Sequence, residues 1–206
     1  MKKLLIITGP QGSGNYLFSK IFAQHPEVFG CCALNDEYRI THDQEPFAMA
    51  WQDPFLLSHI KFEQYAVTSI SCPYAHKGEA IVPKYAQFIE AARDLEYDVK
   101  VAIIGRDRNV LQHQQKRVQN TNSYSQFEEQ LAELQVHNPV YLSTELLYLY
   151  REKYVSSLSS LLDFPVAVDL VTIDKILVKD PNTKYFRKAP KQELDKIVKK
   201  VSRPDK

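Results

Sequence analysis

Leu4-Leu5-Ile6-Ile7-Thr8-Gly9-Pro10-Gln11-Gly12-Ser13-Gly14-Asn15-Tyr16 is the stretch on which the reading of this chain turns. Four apolar residues in a row, halted by glycine, predict a strand buried on both faces. Three of the chain's six glycines then fall at 9, 12 and 14. Glycine loses more backbone entropy on folding than any other residue, so such a cluster marks a loop that needs close backbone approach. Over residues 15–25, Leu17, Phe18, Ile21 and Phe22 recur at helical spacing, and Pro26 closes that helix. The opening reads as strand, glycine loop, helix. Backbone N–H groups of such a loop, together with the positive end of the helix, make an anion site. The plain alternative is a tight strand-to-helix turn with no ligand.

Outward from this opening, strands and amphipathic helices alternate. Residues 65–72 predict a strand ending before Pro73, and Val101-Ala102-Ile103-Ile104 predicts a second strongly buried strand ended by Gly105. Between them Tyr85, Phe88, Ile89, Ala92 and Leu95 share one face of a helix over 85–96. Residues 108–118 predict a polar helix, and Ser125 and Glu128 have capping-box spacing ahead of Leu131 and Leu134. A short strand at Val140-Tyr141-Leu142 precedes a long helix striped by Leu147, Tyr150, Tyr154, Leu158 and Leu161. In the tail, Leu194, Ile197, Val198 and Val201 share a face. Residues 27–64 are expected as a loop-rich insertion with short helices. The alternation predicts a single α/β domain over 1–206 with a largely parallel sheet, in which ligands bind beyond the carboxyl ends of the strands.

Composition narrows the partners. The 206 residues are 44% apolar and 25% charged, with 26 Lys plus Arg against 25 Asp plus Glu. A chain of this length buries roughly 70% of its unfolded surface and needs no disulfide or metal staple. The charge balance argues against a basic field for gripping nucleic acid. It conceals one asymmetry: residues 187–206 carry eight basic and three acidic side chains. A solvated helix face is the ordinary reading of such a tail. Cys31, Cys32 and Cys72 lack zinc-type spacing, and no structural metal is expected. The apolar run at 4–7 is too short for a secretory segment and no run is long enough to span a membrane, so the expected setting is reducing cytoplasm.

The spacing of Gly9 and Gly14 matches the phosphate loop G-x-x-x-x-G-K-[ST], but Asn15 stands where that motif has lysine and Tyr16 where it has the Mg²⁺-ligating hydroxyl. Those changes remove what a nucleoside triphosphatase needs most and leave a phosphate cradle, with Ser13 and Asn15 as candidate donors. Arg106 follows the 101–104 strand. If that strand is parallel to the first, Arg106 lies at the same sheet edge and can grip a second phosphate, unless Asp107 takes it as an ion pair. His113 and Gln114 follow on the next helix.

Taken together, these segments resemble the sulfotransferases that use 3′-phosphoadenosine 5′-phosphosulfate. The Gly9–Asn15 loop with Lys20-Ile21-Phe22-Ala23-Gln24-His25-Pro26-Glu27-Val28 is similar to their 5′-phosphosulfate segment. Ile103-Ile104-Gly105-Arg106-Asp107-Arg108-Asn109-Val110-Leu111 is similar to their 3′-phosphate segment. Leu142-Ser143-Thr144-Glu145-Leu146-Leu147 through Leu161-Leu162-Asp163-Phe164-Pro165 resembles their strand, acidic turn and long helix, and Phe186-Arg187-Lys188 resembles an Arg-Lys pair that helps bind the 3′-phosphate. The resemblance implies a P-loop-type three-layer α/β fold with helices flanking the sheet. It implies cofactor binding by Gly9, Gln11, Gly12, Ser13, Gly14, Asn15, Tyr16, Arg106, His113, Gln114, Arg187 and Lys188. The implied reaction is metal-free sulfuryl transfer to a hydroxyl or amine of a small-molecule, sugar or peptide acceptor, releasing adenosine 3′,5′-bisphosphate. The chain departs from the family at Gly12, where a loop Lys or Arg is usual, at Asn15-Tyr16, where a threonine pair is usual, and at Gln114 or His113, where a helix serine is expected.

Such transfer needs a base on the acceptor. His76, just after the 65–72 strand, is the first candidate, with His42 and Glu45 next and Glu37 a further option; a histidine so placed is more often structural. Lys77 could stand in for the missing loop cation. Phe47, Trp51 and Phe55 suit either an acceptor pocket or the core, and the cysteines suit burial. Two other functions stay open: a non-catalytic nucleotide-binding protein on the same fold, and an atypical P-loop kinase that would need ATP and Mg²⁺.

Overall fold

The computed structural model describes residues 1–30, 45–118, 123–167 and 169–178. Cys31, Cys32, Glu37, His42, Arg187, Lys188 and the expected tail helix lie outside the described residues. The chain opens with β1 (Lys3–Pro10), α1 (Asn15–Phe22) and the two-residue β2 (Val28–Phe29). A 3-10 turn at Pro54–His59 precedes β3 (Tyr65–Cys72), and a small antiparallel hairpin, β4 (Tyr74–His76) with β5 (Glu79–Ile81), leads to α2 (Tyr85–Asp94). Then come β6 (Asp98–Gly105), α3 (Arg108–Val118), α4 (Ser123–Gln135), β7 (Val140–Ser143), α5 (Thr144–Leu162) and α6 (Leu170–Ile176).

Five strands form one parallel sheet in the order β2-β3-β1-β6-β7. β1 is central, paired with β3 from Lys3↔Tyr65 to Pro10↔Cys72 and with β6 from Lys3↔Asp98 to Thr8↔Ile103. That position explains the unbroken apolar run: neither face of β1 meets water. Leu4 and Ile6 turn to one face, with Phe47, Trp51, Leu57, Phe88, Phe127 and Leu134. Leu5 and Ile7 turn to the other, with Phe18, Phe22, Val155, Leu158 and Phe164. The protein is thus an α/β sandwich of three layers: α2, α4 and the 45–62 segment on one side, and α1, α5 and α6 on the other. The handedness of parallel connections accounts for the split. The path from β1 to β2 and the path from β3 to β6 run in opposite directions across the sheet, so right-handed crossovers place α1 and α2 on opposite faces.

The described part of the 27–64 stretch reaches into the fold: β2 joins the sheet beside β3, and Phe47 and Trp51 are core, while Phe55 lies on the surface. Two expectations about helices change. Helix α4 begins at Ser123, which puts Ser125 inside its first turn rather than at its cap. The stripe on α5 is also displaced. Leu147, Val155, Leu158 and Leu162 are buried, whereas Tyr150 and Leu161 are more than half exposed. The helix is also interrupted within this stretch: Arg151 has φ 42° and ψ −115°, outside helical backbone. Among the described residues no helix is long and apolar enough to cross a membrane.

Candidate functional site

All strands of the sheet point one way, so Pro10, Cys72, Gly105 and Ser143 finish along one edge. The connection after β1 leaves toward β3 and that after β6 leaves toward β7, which opens a crevice between them at the carboxyl edge. The glycine loop and Arg106 flank this crevice.

The loop is held by its carbonyls. Asn15 Nδ2 donates to Gly9 O at 3.2 Å, Ser13 N–H to Pro10 O at 3.0 Å, and Gln115 Nε2 to Gln11 O at 3.0 Å. Arg106 Nη1 donates to Gly12 O, and Thr144 Oγ1 to Ser13 O. A trans peptide points its C=O and its N–H in opposite directions. The N–H groups of Gly12 and Gly14 therefore point away from Gln115 and Thr144, and no described residue accepts from them. Gly12 and Gly14 have φ of 84° and 109°, backbone that only glycine adopts without strain. A Cβ on Gly14 would also lie 2.9 Å from Thr144 Oγ1. Fixed carbonyls behind and unspent N–H groups in front suit an anion.

The polar side chains of the loop are used differently. Ser13 Oγ donates to Asn15 Oδ1 at 2.7 Å, and Asn15 Nδ2 also reaches Ile70 O and Ser71 Oγ. Both side chains are buried, so their donors hold the loop to β3. Tyr16 is half-buried, with the Lys20 ammonium 4.8 Å from its ring centroid. Arg106 Nη1 bonds Gln114 Oε1 at 2.6 Å besides the loop, so Arg106 and Gln114 meet at the loop, and His113 is exposed beside them on α3. Asp107 caps α3 through the N–H groups of Asn109 and Val110, and its own N–H donates to Glu145 at 2.9 Å.

Two candidate bases fall in the described residues. His76, on the β4–β5 hairpin, shares a 2.9 Å hydrogen bond with Gln52. Lys77 follows it at φ 48° in the hairpin turn, exposed. Glu45 accepts from Ser69 Oγ at 3.0 and 3.2 Å. Burial pushes its carboxyl up to about 7, against the lowering effect of the Ser69 hydrogen bonds. Ser69 sits two residues before Ser71, so Glu45 is set back from the loop along β3. Under the loop, Thr8 Oγ1 and Tyr85 OH are 2.6 Å apart, and burial raises the Cys72 thiol to about 12 and the Tyr85 phenol well above its usual range. A thiol so raised is inert.

Thr144, Gln115 and Ser71 build the loop's outer support and were not among the expected site residues. A signal existed for Thr144: it follows a strand that ends at the ligand edge. Compared with known proteins, the chain matches no family model and no curated protein.

Proposed function

We propose that the chain binds 3′-phosphoadenosine 5′-phosphosulfate on a P-loop-type edge and transfers the sulfuryl group to an acceptor hydroxyl or amine. The observation that carries this reading is the loop, its carbonyls tied back by Asn15, Gln115, Arg106 and Thr144 while the N–H groups of Gly12 and Gly14 remain for an anion. The residues fit the group in kind: backbone donors and one guanidinium, with no metal ligand required. The 5′-phosphosulfate belongs on the loop, with Arg106, His113 and Gln114 flanking it. When bound, the nucleotide supplies an activated sulfuryl group on a phosphate leaving group. The chain's residues fix that group's orientation and its negative charge. His76, held by Gln52 on an exposed hairpin at the carboxyl edge, takes the acceptor's proton; the buried Glu45 carboxyl is assigned to the packing against β3.

Binding without turnover is the second reading, favoured by one observation: Ser13 and Asn15, the loop's polar side chains, are spent on the loop itself. The same geometry weighs against an ATP-hydrolysing or kinase site, since Asn15 fills the lysine position with a buried amide that cannot reach a β/γ-phosphate.

The test is a thermal shift with adenosine 3′,5′-bisphosphate beside ATP with Mg²⁺. A ligand at 100 times its dissociation constant adds about 2.7 kcal/mol, a rise of about 5–10 °C for a chain of this size. A rise with the bisphosphate alone supports the cofactor site. A rise only with ATP and Mg²⁺ transfers the reading to a kinase, and no rise with either removes nucleotide binding from the loop. Transfer of ³⁵S from labelled cofactor then separates turnover from binding.

A further inference from the structure

We propose that Thr144 is the positioning residue of the glycine loop: its hydroxyl turns the Ser13–Gly14 peptide so that the N–H, not the carbonyl, faces the anion. The proposal rests on the reading above only in that the loop receives an anionic group. It assigns to one side chain, on a helix distant in sequence, the difference between a loop that attracts a phosphate and one that repels it.

The polar groups of Ser13 are each held by a different partner. Its N–H donates to Pro10 O at 3.0 Å, its Oγ donates to Asn15 Oδ1 at 2.7 Å, and its carbonyl accepts from Thr144 Oγ1. The first two contacts fix the residue but not the peptide that follows it. That peptide turns about the ψ of Ser13 and the φ of Gly14, and glycine takes either sign of φ at little cost. The backbone at Gly14, with φ of 109°, therefore imposes no orientation of its own. The Thr144 hydroxyl imposes one. A carbonyl held toward α5 sends the Gly14 N–H away from it, because the two groups of a trans peptide point in opposite directions. With the peptide reversed, the buried hydroxyl proton would lose the one acceptor it has among the described residues, at the cost of an unmade buried hydrogen bond. Thr144 is itself fixed. Strand β7 pairs with β6 up to Gly105↔Ser143, so Thr144 is the first residue beyond the sheet edge. Ser143 caps α5 by accepting from the Leu146 N–H at 3.2 Å, and its own N–H donates to Tyr154 OH at 2.9 Å. Glu145 accepts from the Asp107 N–H at 2.9 Å. No slack lies between Thr144 and the loop, since a Cβ on Gly14 would come within 2.9 Å of Thr144 Oγ1. The hydroxyl is thus a preset support, and the N–H it orients needs no rearrangement to meet an anion.

Isothermal titration of wild type, Thr144→Ser, Thr144→Ala and Thr144→Val with adenosine 3′,5′-bisphosphate and with inorganic pyrophosphate tests this, with Tm measured for each. Thr144→Val keeps the shape and loses the hydroxyl, and should weaken both ligands by about 10-fold or more, the size of a lost hydrogen bond to a charged group. Thr144→Ser keeps the hydroxyl and should bind as wild type does, even where the missing methyl lowers Tm. Thr144→Ala should match Thr144→Val. It differs from Thr144→Ser by the hydroxyl alone, so that pair decides the matter even where Thr144→Val does not fold. A merely structural role for residue 144 predicts that affinity follows Tm, with Thr144→Ser no better than Thr144→Val. In the wild type the Gly14 amide proton, followed by ¹⁵N–¹H NMR, should move downfield on adding either ligand, as an N–H that donates to an anion does. Wild-type affinity in Thr144→Ala or Thr144→Val overturns the proposal, and so does a Gly14 amide that ignores a ligand the wild type binds. Wild type that binds pyrophosphate but not the bisphosphate overturns the nucleotide reading alone, the variants then being judged on pyrophosphate. Wild type that binds neither overturns both.

Discussion

Asn15 occupies the position at which a nucleoside triphosphatase would place its lysine, and its contacts show what the substitution does. Its amide donates toward Gly9 O, Ile70 O and Ser71 Oγ and accepts from Ser13 Oγ, with only 4% of the residue exposed. The side chain is a rivet between β1, the loop and β3. Asn15→Ala removes all four contacts and leaves buried partners unsatisfied, at about 1–3 kcal/mol for such a group. The expected result is an unfolding free energy lowered by that amount, read as a lower urea midpoint with an unchanged m-value. Asn15→Asp keeps the acceptor for Ser13 but puts a carboxylate against two backbone carbonyls, so it should destabilise at least as much near neutral pH. An Asp variant as stable as wild type would mean that the amide donors are not what secures the loop. The identity of residue 15 was plain in the sequence, but its direction was not. A polar residue opening a helix after glycines reads equally as a ligand donor or as a strut, and only the buried groups from Ile70 and Ser71 on a distant strand decide between them.

At the scale of elements, α2 and the 45–62 segment form one packing unit. Trp51 stacks on Phe88 with ring centroids 3.8 Å apart and planes at 8°, and its indole N–H donates to Thr68 Oγ1 at 3.0 Å. The amphipathic face of α2 was legible because Tyr85, Phe88, Ile89 and Ala92 follow the helical period. Its partner was not, because aromatics spread through turns carry no period, and Phe47, Trp51 and Phe55 read alike although two are core and one is surface. Phe88→Ala should cost about 3–5 kcal/mol, the range for an aromatic deleted from a close-packed core. It should also raise the solvent exposure of Trp51, read as a red shift of the chain's one tryptophan emission. A cost under about 1 kcal/mol would mean that the 45–62 segment is not anchored to α2 in solution. α5 shows the opposite failure. Its stripe was periodic and only partly right: Leu147 and Leu158 are buried and Tyr154 packs against the same core, while Tyr150 and Leu161 are more than half exposed, and the non-helical residue Arg151 left no mark in the pattern. Periodicity finds a helix but not a break within it.

For the whole molecule, the parallel sheet and the placement of a glycine loop and an arginine at one edge followed from strand character alone. Buried strands at 4–7 and 101–104 needed only to be parallel for their ends to meet. The strand order depends on long-range pairing that no local pattern encodes. One consequence of that order is global and measurable. Ser69, on β3, receives the carboxylate of Glu45 from a segment distant in sequence, and burial raises that carboxyl to about 7. In the unfolded chain its pKa is near 4.5. The folded state therefore binds the proton more tightly, so this group's contribution to stability is fully present below about pH 4.5 and is lost as pH rises through about 7. At 1.36 kcal/mol per pKa unit the loss approaches about 3 kcal/mol. His137 acts in the other direction: burial, more than the nearby Arg93 charge, lowers its pKa, so its contribution falls as pH drops through 6.5. The difference between wild type and Glu45→Gln isolates the carboxyl, since His137 is common to both. Glutamine can still accept from Ser69. The variant should match wild type near pH 4 and exceed it by up to about 3 kcal/mol at pH 8, measured by denaturant unfolding at each pH. A difference that stays flat between pH 4 and 8 would place the Glu45 carboxylate in water rather than against β3.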